Sequence, residues 1–124
     1  MPLINPRTRE QIVARVLAAR EGRAAFLTQM KDLQQQGWQA AQKAATVLKE
    51  EFGAKRVVLF GSMLDPEHMT WHSDIDLAVW GMRSEHYLRA GAAAEKGHHF
   101  SVDLIDAESA PIHLLNAIHQ GIEL

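Results

Sequence analysis

"FGSMLDPEHMTWHSDIDLAVW", residues Phe60 to Trp80, links the end of one apolar run to a second run carrying two aspartates two residues apart. Both runs predict strands. Arg56 to Phe60 (RVVLF) is β-branched and apolar, and Asp74 to Trp80 alternates in character until Gly81. Side chains along a strand point alternately to its two faces, so Asp74 and Asp76 share one face and Ile75, Leu77 and Val79 take the other. Phe100 to Ile105 (FSVDLI) repeats the design, with Phe100, Val102 and Leu104 on the apolar face and Asp103 opposite them beside Ser101. If these strands are neighbours, three carboxylates meet on one side of a sheet.

Such a cluster needs a physical reason. Carboxylates ~5–6 Å apart repel by about 3 kcal/mol per pair at an effective dielectric near ~20, so they must gain a cation or take up protons. Oxygen donors without His or Cys favour Mg2+ or Mn2+ over zinc. Magnesium commonly shares phosphate oxygens with a substrate, which points to phosphoryl or nucleotidyl chemistry. A pair of such ions activates the attacking oxygen and holds the leaving pyrophosphate. Gly61 and Ser62 end the first strand at a turn where bare backbone N–H groups can hold phosphate, with a hydroxyl added by Ser62. A lone Asp-x-Asp reads more simply as a turn cap and a solvated side chain. The Gly-Ser pair before it favours the phosphate site.

The remaining chain fits around this motif. Thr8 to Phe52 is rich in Ala, Gln, Glu, Lys, Arg and Leu, with a stripe at Leu27, Met30, Leu33, Ala41, Ala44, Leu48 and Phe52 and an upstream one at Ile12, Val13, Val16 and Leu17. Thr8 is a candidate cap, Gly22 and Gly37 candidate breaks or bends, and Gly53 the stop. Ser84 to about Lys96 predicts a second helix, and Ser109-Ala110-Pro111 opens a final one ending near Gly121. Helices alternating with strands imply an α/β domain, and 124 residues suit one domain, with no internal repeat.

The Gly-Ser…Asp-x-Asp stretch "GSMLDPEHMTWHSDIDLAV", with Asp103 in "FSVDLI", resembles the signature of the DNA polymerase beta-like nucleotidyltransferases, and the length is similar to that of the minimal nucleotidyltransferases, many of them MntA-type antitoxins. That resemblance implies an α+β nucleotidyltransferase fold over residues 1–124: a small mixed sheet flanked by helices, with 53–124 as catalytic core and 1–52 as helical extension and first core helix. It also implies that Gly61 and Ser62 contact the nucleotide's phosphates. Asp74, Asp76 and Asp103 would bind two Mg2+ (or Mn2+) ions, and Asp103 would draw the proton from the acceptor. In the antitoxin branch the implied reaction moves AMP from ATP to a tyrosine of a HEPN-domain ribonuclease toxin. This chain departs from many relatives in having no Arg or Lys from Ser62 through Ser73. Two alternatives stand beside this one: a non-catalytic module neutralising its partner by contact, and a small-molecule nucleotidyltransferase of the aminoglycoside-modifying kind.

Bulk properties bound these readings. With no cysteine, disulfides and thiolate zinc sites are excluded. A net charge of −2 argues against a broad nucleic-acid-binding surface. No signal-peptide pattern opens the chain and no apolar run approaches the ~20 residues of a membrane span, so a soluble cytoplasmic protein is expected. Ala41 to Phe52 is expected to pack on the sheet, and the helix before Gly37 to dock a partner or a second copy. Trp38 and Trp80 read as packing residues and Trp71 as an aromatic covering the loop, with base stacking as its alternative. His68 and His72 read as solvated loop histidines, with nucleotide contact as the alternative, His98 and His99 as non-ligands, and Asp65 and Asp106 as turn residues.

Overall fold

The computed structural model describes residues 6–124, with side-chain surroundings from Thr8 onward. Four strands form one mixed sheet in the order β3-β2-β1-β4: β1 (Arg56–Phe60), β2 (Ile75–Trp80), β3 (Val102–Asp106) and β4 (Ile122–Glu123). β1 runs antiparallel to β2 and β4, and β2 parallel to β3. Among the described residues, no helix is long and apolar enough to cross a membrane.

The alternation in β1 and β2 divides the core in two. On one face Val57, Leu59, Ile75, Leu77 and Val79 are buried against α1 (Pro6–Phe52) and α2 (Tyr87–Ala94). On the other, Val58, Phe60 and Ala78 pack with Ile118 of α3 (Ile112–His119). Fully burying a side chain of this size stabilises by about 1.5–3 kcal/mol, which specifies which face of each strand turns inward. The second face is smaller. Asp76 and Asp103 belong to it by alternation with Ala78 and Ile105.

α1 departs from expectation at both glycines. It is a continuous helix from Pro6 to Phe52, so Thr8 lies within it instead of capping it, and neither Gly22 nor Gly37 ends it. Gly37 has another role. A Cβ there would stand 2.4 Å from the Met63 sulfur, so the missing side chain lets the β1–β2 connection press against the helix. The stop at Gly53 is as expected, at φ +74°. Nor does the body's cover begin at Gly37. Residues 8–25 are exposed throughout, whereas Phe26 and Leu27 are partly buried and Met30 fully buried. Ile12, Val13, Val16 and Leu17 therefore form an exposed apolar stripe on a helical arm that, among the described residues, has nothing packed over it.

The short strand β4 was not expected. Its carbonyl and amide groups extend β1, and Gly121 before it is required by space, since a Cβ would lie 2.5 Å from the Leu59 carbonyl oxygen.

Candidate active site

The parallel register of β2 and β3 sets Asp76 directly beside Asp103, with Ile75 beside Val102 and Leu77 beside Leu104. On its other side Asp76 pairs with Phe60, the last residue of β1. Asp74 stands one residue before β2, near enough for its charge to act on Asp76. The three carboxylates thus gather at one end of the sheet's second face, with Asp76 partly buried at the centre and Asp103 exposed on the edge strand.

Gly61 closes the group from the β1 side. Its backbone has φ +87° and ψ −156°, a conformation essentially reserved for glycine. A Cβ there would lie 2.4 Å from Asp76 Oδ2, so the peptide comes up against the carboxylate only because the side chain is absent. Ser62 then opens a single 3-10 turn (Ser62–Leu64), whose first return bond is Leu64 N–H to the Gly61 carbonyl at 3.2 Å. The N–H groups before Leu64 have no partner within the turn.

α1 holds that turn from behind. The Met63 carbonyl accepts from Trp38 Nε1 at 2.9 Å and from Gln34 Nε2 at 3.1 Å, while the Met63 side chain is fully buried in the space left by Gly37. Trp38 is therefore a positioning donor, 39% exposed, and not the packing residue the sequence suggested. Gln34 escapes the sequence reading, and Gly37 and Trp38 take other roles in it, because nothing local marks their use. Their i, i+3, i+4 spacing places them on one helix face, but the atom they serve is 25 or more residues away. Trp38→Phe, which keeps the ring and removes the donor, is expected to cost about 1 kcal/mol of stability and to raise the KM for nucleotide more than it lowers kcat. Denaturant unfolding and steady-state kinetics check both.

Electrostatics mark the centre of the group. Burial, followed by the charges of Asp103 and Asp74, pushes the Asp76 carboxyl up to about 6 from its ordinary 3.8. The folded protein then binds more protons than the unfolded chain between those values, so this site's contribution to stability falls as pH rises from about 4 to about 6 and stays lost above. For a half-buried group, with solvent screening allowed for, the loss is about 1–2 kcal/mol. Unfolding of the metal-free protein at pH 5 and pH 7 should show it, and Asp76→Asn should remove it.

The three carboxylates offer oxygen donors, which suit a hard divalent cation, and a cation would offset the repulsion at Asp76. As the side chains stand, no three His, Cys, Asp or Glu groups among the described residues form a metal-ligand set. The sheet register supplies two adjacent carboxylates, and the third stands one residue before the start of β2.

Residues outside the group take structural parts. Arg56 is bound to Glu123 at 2.6 Å and lies 4.3 Å over the Trp80 ring, at the end of the sheet opposite Asp76. His68 pairs with Asp65 at 2.6 Å, and His98 accepts from Phe100 N–H at 3.1 Å. Asp106 ends β3 by accepting from Glu108 N–H and Ser109 Oγ, as its position in the sequence suggested. Trp71 stands edge-on to Phe26 of α1 at 6.3 Å, and with His72 and Phe100 it lines a cleft of about 370 Å3 that reaches Asp74.

Comparison with protein families finds a match to "Polymerase beta, Nucleotidyltransferase" over residues 42–124, which takes in the whole sheet, α2, α3 and the last stretch of α1, from Gln42 to Phe52. Comparison with curated proteins and with solved structures finds no match.

Proposed function

Because the chain belongs to the polymerase beta nucleotidyltransferase family, we propose that it is an adenylyltransferase that moves AMP from ATP to a tyrosine hydroxyl of a partner protein. On the resemblance set out above, that partner is a HEPN-domain ribonuclease toxin, and the modification neutralises it. The observation that carries the reading is the pairing of Asp76 with Asp103 against the bare backbone of Gly61.

Each residue then has a task. The Gly61–Ser62 turn, held by Trp38 and Gln34, presents N–H groups and the Ser62 hydroxyl to the phosphates. Asp74, Asp76 and Asp103 would hold Mg2+ or Mn2+, which when bound supplies the positive charge that a triphosphate requires. Asp103 takes the proton of the acceptor hydroxyl as its oxygen bonds to the α-phosphorus and the bond to the pyrophosphate group breaks. A protein acceptor is supported by the exposure of Asp103 on an edge strand, where a macromolecule can reach it.

A second reading, inhibition by contact alone, is favoured by one observation: Ser62 through Ser73 holds no Arg or Lys to offset a triphosphate's charge. Intact-mass spectrometry separates the two. The chain is incubated with ATP, Mg2+ and the product of the adjacent gene, and that product is weighed. Addition of AMP that is lost with Asp74→Asn supports transfer. Neutralisation that survives Asp74→Asn without a mass change establishes contact inhibition.

A further inference from the structure

β3 is an edge strand with an unoccupied side. Ile75 N–H donates to the Ser101 carbonyl at 2.9 Å, and a parallel ladder then directs the N–H and C=O groups of Asp103 and Ile105 toward β2 as well. The same groups of Val102 and Leu104 point the other way, off the sheet. Among the described residues no hydrogen bond to those outward groups is formed. Beside them lies a groove of about 560 Å3, walled by Leu88, Gly91 and Ala92 of α2 and by Glu95 just past its end, and floored by β3, with Asp103 in its lining. Leu88 is 89% exposed there, and Gly91 and Ala92 keep the helix wall low.

We propose that this groove receives the acceptor as an extended segment that adds to the sheet as a strand beside β3. The proposal rests on the transferase reading and specifies its acceptor. A row of unpaired backbone donors and acceptors selects for another main chain in extended form, since no other ligand matches their spacing. Alternation then sets the chemistry. In an added strand the residue opposite Asp103 turns its side chain to the face that Asp103 occupies, while its neighbours turn toward Leu88 and Ala92. A hydroxyl-bearing residue in that register lies next to the carboxylate that takes its proton. Its oxygen bonds to the α-phosphorus of the nucleotide, pyrophosphate departs with the electron pair of the broken bond, and the proton passes to Asp103. Segments with apolar residues on either side of the acceptor are therefore preferred.

The test uses the full chain and a library of peptides of about ten residues, with a central Tyr, Ser or Thr and randomised neighbours. Binders are expected to slow amide exchange at Val102 and Leu104. They should lose affinity about fivefold to tenfold when a residue pairing with either is N-methylated. They should also be enriched in apolar residues beside the hydroxyl, and weakened by Leu88→Glu, a change at an exposed position that leaves the melting temperature in place. No binder, protection mapping elsewhere, or indifference to N-methylation overturns the proposal. So does a protein whose Val102 and Leu104 amides are already protected in a dimer. ATP binding and transfer to the bound peptides are measured separately. Docking without either refutes the transferase reading and leaves the strand site standing, whereas transfer to peptides protected elsewhere does the reverse.

Discussion

Asp76→Asn is expected to abolish nucleotidyl transfer and, at the same time, to make the metal-free protein more stable. The two effects have one origin. Asp76 sits between Phe60 and Asp103 in the sheet, with Asp74 two residues away, so its charge is both desolvated and repelled. An amide of the same shape keeps the packing and removes the charge. Relief of the repulsion should contribute about 1–2 kcal/mol at pH 7, or about 3–6 °C in melting temperature for a chain of this size. The gain should vanish near pH 4, where the wild-type carboxyl is protonated in the folded state anyway. Transfer should fall by about a thousandfold or more, because an amide holds a divalent cation poorly and that cation neutralises the phosphates. Calorimetry in chelator and single-turnover assays read the two quantities separately. A mutant that is less stable without metal, or that still transfers a nucleotidyl group, contradicts the placement of Asp76 at the centre of the site.

Gly61→Ala should be severely damaging for a single added methyl group. Two costs combine. At φ +87° and ψ −156° an L-residue is strained by about 1–3 kcal/mol. The added Cβ would also meet Asp76 Oδ2 at 2.4 Å, and a partly buried strand residue has little room to retreat. A total of about 3–4 kcal/mol is expected, with transfer lost because the Ser62–Leu64 turn is displaced from the carboxylates. The costs are separable. Asp76→Ala leaves only its Cβ, at an ordinary 3.5 Å from the new methyl, so the clash disappears and the backbone strain remains. The double-mutant cycle should therefore show about 1–2 kcal/mol of coupling. Strict additivity would mean that Gly61 and Asp76 do not touch.

These residues also show how far a linear reading reaches. The positions of β1, β2 and β3 followed from β-branched runs and alternation, and each strand was found within two residues of its expected start. β4 was missed because two residues carry no periodicity. It forms only where Gly121 lets the chain return against β1. Gly37 was misread because a glycine within a helix signals weakness by local rules, while its actual use is a contact with Met63 across 26 residues of chain. The apolar stripe of α1 was legible along its whole length, but its pattern did not say that cover begins at Phe26 and not at Gly37.

From the amino-acid order alone came the faces: Asp74 and Asp76 together, Asp103 opposite its own apolar side, a glycine and a serine at the preceding turn. Those follow from the sterics of a single extended chain, which every strand obeys wherever it lies. Folding alone decided that β3 lies parallel beside β2 with Asp103 level with Asp76, that α1 reaches over to hold the Met63 carbonyl, and that, among the described residues, the outer edge of β3 is left unpaired. Register and neighbour choice depend on which apolar faces can be buried at once by distant segments, and no local stretch contains that information.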